Sequence, residues 1–347
     1  MKNDRGIDEN LCALLNERAD MYRKTFEARK DSIGGHFVSL KREISDYIDS
    51  SYRGALSADI IKRIYGDILS GVFSLVRPVK VAYMGPEGTY SNQAMMDFFG
   101  PAIDSISVKT ISDVFHDVEL SKADFGIVPI ENSTEGAVTY TLDELIETEL
   151  QIIAEKFIRI SCSLLSKESD LNRVQKIYTH PQPLGQCRVW LRKNLPEAEI
   201  CIVDSTTRAA DMASHEPGSA ALASSLAAEL YNLNILAEHV EDSRQNYTRF
   251  FIIGREQSRP TGKDKTSIVF SIKDRPGALL GILDHFNKSG INMTKIESRP
   301  DKKKMWEYNF FIDFLGHRDD REVDDVLAKI RNDSIYLKVL GSYPVGN

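Results

Sequence analysis

The stretch DFGIVPIENSTEGAV, residues 124–138, passes from apolar to polar within a few positions. Its first half reads as a buried strand that feeds straight into a polar, glycine-bearing segment. That segment holds Glu131, Asn132, Ser133, Thr134, Glu135 and Gly136, small hydrogen-bonding side chains where a strand would hand over to a helix. The bland reading is an N-cap and turn. The functional reading is an anion site, because free N–H groups and hydroxyls at a helix start favour negative charge and a glycine admits close approach.

Two other stretches repeat the design. GPEGTYSNQA (85–94) follows the run VKVAYMG, and DSTTRAA (204–210) follows EICIV. None is a GxGxxG or Walker pattern, so a nucleotide is not indicated and a small carboxylate is the expected ligand. In EDSRQNYTRFFIIG (241–254), Thr248 and Arg249 immediately precede an apolar strand. A guanidinium there can hold a carboxylate through two hydrogen bonds, or simply make a strand-end ion pair.

Outward from these motifs, strand and helix patterns alternate from 79 to 255. That alternation predicts an α/β domain with a largely parallel sheet and ligands at the carboxyl ends of its strands. The alanine-rich AALASSLAAELYN (220–232) reads as helix. Residues 1–76 read as three helices. Ile7, Leu11, Leu14 and Leu15 mark the first, DSIGGH (31–36) breaks the pattern, and Ser57 caps the third. Three helices close too small a core alone, so this segment is expected to pair with a copy of itself. EQSRPTGKDK (256–265) reads as a linker, and β-α-β-β-α-β order follows, a ferredoxin-like module. The expected division is 1–78, 79–255 and 256–347.

The chain has 347 residues, 42% hydrophobic and 27% charged, with a formal net charge of -7. The mild acidity argues against a nucleic-acid partner, and Lys302–Lys304 reads as a solvated turn. Cys12, Cys162, Cys187 and Cys201 form no metal-ligand spacing, so no metal is expected, and their scatter points to a reducing, cytoplasmic compartment. No window is apolar enough to span a membrane.

GPEGTYS, IVPIENSTEGAV, YTHPQPLGQC, STTRAA and NYTRFFIIG, collinear over 79–255, together resemble the prephenate dehydratases. PGAL (276–279) and ESRP (297–300) resemble the ACT regulatory domain of those enzymes, and the helical N-terminus resembles an all-helical chorismate mutase. The resemblance implies a multidomain α/β protein: a mutase-like helical domain, a two-lobed periplasmic-binding-like dehydratase domain and a ferredoxin-like ACT domain. It implies conversion of prephenate to phenylpyruvate with no cofactor, feedback by phenylalanine, and a homodimer or homotetramer. Thr248 would be the chief catalytic residue, as a hydrogen-bond donor to the leaving hydroxyl, with Glu131 as an acid or loop brace. Arg249, Phe250, Asn132, Ser133, Thr89, Ser91, His180, Gln182, Ser205, Thr206 and Thr207 would bind substrate. Gly277, Ala278, Leu279, Asn292, Glu297, Ser298 and Arg299 would form the phenylalanine site.

For the mutase segment, with chorismate as substrate, Arg18, Arg29, Arg42 and Glu43 match the family's charged positions. Val72 and Val76 fall where it has polar residues, so the mutase site reads as degenerate. The alternatives are an arogenate dehydratase, and a non-catalytic amino-acid sensor with the same two-lobed plan.

Overall fold

A computed structural model describes residues 2–27, 33–243, 245–301 and 308–346. Three helices come first: α1 (Lys2–Glu27), α2 (Ile33–Ser51) and α3 (Ala58–Val76). Ser57 caps α3 as its sequence predicts, its side chain accepting from the Ile60 N–H. Of the expected break at 31–36, residues 31 and 32 lie outside the described residues, and Ile33, Gly34, Gly35 and His36 belong to α2. Glycine costs a helix about 1 kcal/mol each relative to alanine. Packing of the following turn offsets it, because Phe37 stacks on Phe73 and on Phe99, with ring centroids 4.7 and 5.8 Å away. Phe99 in turn stacks on Phe125 at 5.3 Å, so the helices share a core with the α/β region that follows.

The first lobe contains β1 (Lys80–Met84), α4 (Tyr90–Phe99), β2 (Asp104–Val108), α5 (Ile111–Glu119), β3 (Phe125–Asn132), β4 (Gly136–Ala137), α6 (Thr139–Glu147) and β5 (Gln151–Arg159). The second contains β6 (Ser163–Ser166), β7 (Lys176–Thr179), α7 (Pro181–Gln186), α8 (Arg188–Asn194), β8 (Glu199–Ile202), α9 (Thr206–His215), β9 (Ser219–Ala223), α10 (Ser225–Leu230) and β10 (Asn234–Ala237). The chain then returns to the first lobe as β11 (Tyr247–Gly254), giving sheet orders β2-β1-β3-β11-β5 and β10-β6-β9-β7-β8.

The sheets are mixed rather than largely parallel. β11 runs antiparallel to both β3 and β5, because it re-enters from the other lobe. The alanine-rich segment 220–232 is helix only in its second half, α10, while its first half belongs to the central strand Ser219–Ala223. Helix propensity is a weak prior, and here small side chains are needed where α9 packs on the sheet through Ala209, Ala210 and Ala213.

The C-terminal module is β12 (Asp264–Ser271), α11 (Ala278–Lys288), β13 (Met293–Pro300), β14 (Tyr308–Leu315), α12 (Arg321–Asp333) and β15 (Tyr336–Pro344). Its sheet order is β13-β14-β12-β15. It docks by β15 against β5, so closely that a Cβ on Gly341 would sit 2.2 Å from the Ile152 carbonyl oxygen. Lys302–Lys304 lies outside the described residues.

Candidate active site

The polar end of β3 does not cap a helix. It turns through Gly136 (φ +86°, a backbone only glycine adopts freely) into β4, and α6 begins only at Thr139. The hydroxyls and amides fold back instead. Asn132 Oδ1 accepts from the Thr134 N–H at 2.9 Å, the Thr134 hydroxyl at 2.6 Å and the Glu135 N–H at 3.2 Å. Three donors on one atom fix which end of the amide is oxygen. Its Nδ2 therefore points across to β11 and donates to Asn246 Oδ1 at 2.8 Å and Thr248 Oγ1 at 2.9 Å. Since Thr248 accepts from Asn132, its own O–H is free to donate elsewhere. Ser133 accepts from the Tyr247 N–H and donates to the Gln245 carbonyl, both at 3.0 Å, locking the loop to the start of β11.

Side chains alternate across a strand, so the neighbours of this pair face the other way. Asn132 pairs in register with Thr248, and Glu131 with Arg249. Arg249 was expected to hold a substrate carboxylate. It is 3% exposed and its guanidinium is fully engaged away from Thr248. It bonds Glu155 at 2.7 Å, Asp313 at 2.5 Å and the Tyr343 hydroxyl at 3.0 Å, with Glu131 at 3.4 Å. Glu131, expected as a catalytic acid, is ion-paired with Lys295 on β13. Both residues join the dehydratase-like sheet to the C-terminal module. Phe250 belongs to the apolar core rather than to a ligand surface.

The other motifs gather around the two crossovers between lobes, residues 160–162 and 238–246. Tyr90 donates its hydroxyl to the Ser161 carbonyl at 2.7 Å, and the Ile160 N–H bonds the Asn246 carbonyl at 2.8 Å. Glu241 ties one crossover to the other by accepting from the Cys162 N–H at 2.9 Å. Asp242 accepts from the Val189 and Trp190 N–H groups, anchoring the segment that follows YTHPQPLGQC. Lobe meets lobe where Ser224 donates to the Gly88 carbonyl at 3.0 Å.

Thr89 and Ser205 cap α4 and α9, and Thr206 opens α9. Ser91 is buried early in α4. Thr207 differs. It is 2% exposed, its Oγ1 has no hydrogen-bond partner among the described residues, and its methyl lies at the Gly88 contact between lobes. His180 caps α7, and Gln182 is exposed beside it. Among the described residues, neither hydrogen-bonds to the Thr248 group. Burial and the neighbouring Cys162 thiol hold the Cys187 thiol protonated, with Cys162 the larger influence.

Sequence reading missed Asn246, Tyr90 and Glu241. All three stood inside quoted stretches, but only the fold reveals what each faces.

In the C-terminal module, Gly277 precedes α11 with φ +81°, Ala278 starts that helix and Leu279 packs on the module core. The Asn292 carbonyl accepts from the Leu315 N–H. Glu297, Ser298 and Arg299 lie on β13, where Arg299 pairs with Asp143 on α6 rather than standing free for a ligand. In the helical segment, Arg18 lies 4.4 Å over the Tyr22 ring. Arg42 pairs with Asp46 and donates to the Val345 carbonyl, while Glu43 is exposed. Among the described residues no hydrogen bond or ion pair joins these candidates to one another, and Arg29 lies outside the described residues. Among the described residues no cluster of three His, Cys, Asp or Glu could hold a metal ion, and no helix is long and apolar enough to cross a membrane.

The prephenate dehydratase family model matches residues 81–258 and the ACT domain model residues 266–332. The bifunctional chorismate mutase/prephenate dehydratase of Aquifex aeolicus is 44% identical over 343 residues, 97% of this chain and 95% of that protein. The prephenate dehydratase of Arthrobacter aurescens, solved in complex with L-Phe, superposes with a TM-score of 0.71 at 36% identity, over 77% of this chain and 90% of that one. A structure described as a quorum-quenching acylase superposes with a TM-score of 0.70 at 30% identity, over 77% and 98%.

Proposed function

Because this chain belongs to the prephenate dehydratase family, we propose that the Thr248–Asn132 pair carries its chemistry. The enzyme converts prephenate to phenylpyruvate, water and carbon dioxide, and its ACT domain makes the reaction responsive to phenylalanine. Loss of carboxylate and ring hydroxyl restores aromaticity, so the protein needs to position a dianion and assist departure of hydroxide.

The observation that carries this reading is the Asn132 Nδ2 bond to Thr248 Oγ1, which turns the threonine proton outward. A threonine hydroxyl is too weak an acid to transfer its proton outright. It donates a hydrogen bond to the leaving oxygen as negative charge grows there. Thr207 from the opposite lobe, with its unused buried hydroxyl, supplies a second polar contact on closure. Thr89, Ser91, Ser133, His180, Gln182, Ser205 and Thr206 frame the cleft. A cytosolic setting fits the scattered free thiols.

The effector site is built from Gly277, Ala278, Leu279 and Asn292, with Glu297, Ser298 and Arg299 on β13 as its link to the catalytic domain. Phenylalanine acts through ion pairs that join β13 and β14 to the catalytic strands. Lys295 reaches Glu131, next to Asn132, and Asp313 reaches Arg249, next to Thr248. A second copy of the chain covers the apolar face left by Ile7, Leu11 and Leu14 on α1, which are 53–64% exposed. Chorismate mutation, the other activity in the Aquifex protein's name, would need that copy to complete a site around Arg18 and Arg42.

Amide hydrolysis, suggested by the acylase neighbour, finds its best constellation in Ser161, His239 and Glu241. There the same ring nitrogen, Nδ1, faces both the serine (2.7 Å) and the carboxylate (3.7 Å), so the imidazole cannot relay between them.

The deciding experiment follows phenylpyruvate formation from prephenate, with arogenate in parallel and phenylalanine added or omitted. Turnover of prephenate, lost in Thr248→Val and slowed by phenylalanine, is expected. Turnover of arogenate alone, or undiminished activity of the variant, overturns the reading.

A further inference from the structure

A cavity of about 550 Å³ lies apart from the lobe cleft, among α2, α3, α4, β5 and the C-terminal residues 344–346. That is the size of a small-molecule site, about 300–1,000 Å³. Val38, Ile44, Leu69, Phe98 and Ala154 give it apolar walls.

Its charges are unevenly satisfied. Arg42 and Lys62 are paired with Asp46 and Asp49. The Glu155 carboxylate is taken up by Arg249, Lys265 and the Gly346 N–H. Asp59, Arg63, Asp67 and Asp97 are exposed and solvated. Lys41 and Lys156 are half-buried, and among the described residues neither has a carboxylate within ion-pair distance. Among the described residues, the Lys41 ammonium donates to the Phe98 carbonyl and lies over the Phe98 ring, 4.5 Å to its centroid, while Asp67 and Asp97 act on it only from beyond ion-pair distance. Two partly buried lysines that repel each other are relieved either by loss of a proton from Lys41 or by an anion that joins them.

We propose that this cavity is a second ligand site, for a small carboxylic acid with an apolar or aromatic body, whose carboxylate lies between Lys41 and Lys156. A zwitterionic amino acid is a poor fit, since its ammonium would meet the same lysines. The occupant would touch α2, the edge of the Glu155–Arg249 cluster and the C-terminal tail together, so it can brace the helical segment against the other two domains.

The test titrates 3-phenylpropanoate into the full chain by calorimetry. Saturable binding is expected, at least about tenfold weaker in Lys41→Met and in Lys156→Met, as for a lost charge-assisted hydrogen bond. It should vanish in Gly66→Leu. Gly66 lines the cavity on α3 and a Cβ there meets nothing within 4 Å, so the leucine fills the space without clashing. Prephenate turnover should be unchanged in Gly66→Leu. No saturable binding at millimolar probe overturns the proposal. So does binding within about twofold of the parent in all three variants, which places the probe elsewhere. Tight binding of chorismate with none of 3-phenylpropanoate would mark the cavity as a mutase site and overturn it equally.

Discussion

Asn132 donates from Nδ2 to Oγ1 of Thr248 across 2.9 Å, and the three donors gathered on its Oδ1 leave the amide no other orientation. On the proposed mechanism, the loop holding those donors aims one hydroxyl. Asn132→Ala removes the aim while leaving the hydroxyl. We expect kcat to fall about 10²–10³-fold, the usual effect of losing a preorganised donor, with KM changed much less. Thr248→Ser should keep most activity and Thr248→Val almost none. Near-parental kcat in Asn132→Ala would show that the pair is merely structural.

Arg249 sits at the centre of a buried cluster with Glu155, Asp313 and Tyr343. Arg249→Met leaves buried Asp313 without its cation and leaves Glu155 with Lys265 alone, and breaking such a cluster costs about 3–5 kcal/mol. A clear drop in thermal midpoint is expected, partly recovered in Arg249→Met/Asp313→Leu, because neighbours in one network are not additive. If substrate binding were the residue's main role, stability would hold and KM alone would rise.

Lys295 and Arg299 connect β13 to Glu131 and Asp143. Lys295→Ala and Arg299→Ala should keep prephenate turnover but need at least about fivefold more phenylalanine for half-inhibition, the low end of ordinary allosteric coupling. Inhibition curves that overlay the parent's would remove these pairs from the regulatory path.

Burial, and secondarily the Lys156 ammonium beside it, bring the Lys41 side chain down to about 7. The unfolded chain keeps that lysine protonated to about pH 10.4. Between those values the unfolded state binds the extra proton, so stability from this group rises with pH across that window and the full penalty stands below it. Lys41→Met should therefore stabilise the protein more at pH 6 than at pH 9.5. Denaturant midpoints of both proteins at both pH values check the sign, and equal gains at the two would contradict it.

Much of this protein is legible in its residues. The strand ends of GPEGTYS, ENSTEGAV and DSTTRAA, the Thr248 position and the β-α-β-β-α-β module all follow from local pattern, because turn chemistry and hydrophobic period are properties of neighbours along the chain. Two local patterns gave way to packing. Gly34 and Gly35 lie inside α2, and Ser219–Ala223 is a strand despite its alanines.

What tertiary structure alone decided is which face each residue serves. Thr248 and Arg249 are adjacent, as are Asn132 and Glu131, and the sequence places all four at one rim. Pairing of β11 with β3 sets Thr248 against Asn132 and sends Arg249 and Glu131 to the C-terminal module. The physical reason is the two-residue period of a strand. Alternation is written into the chain, but its phase relative to the cleft is set only when distant strands come into register.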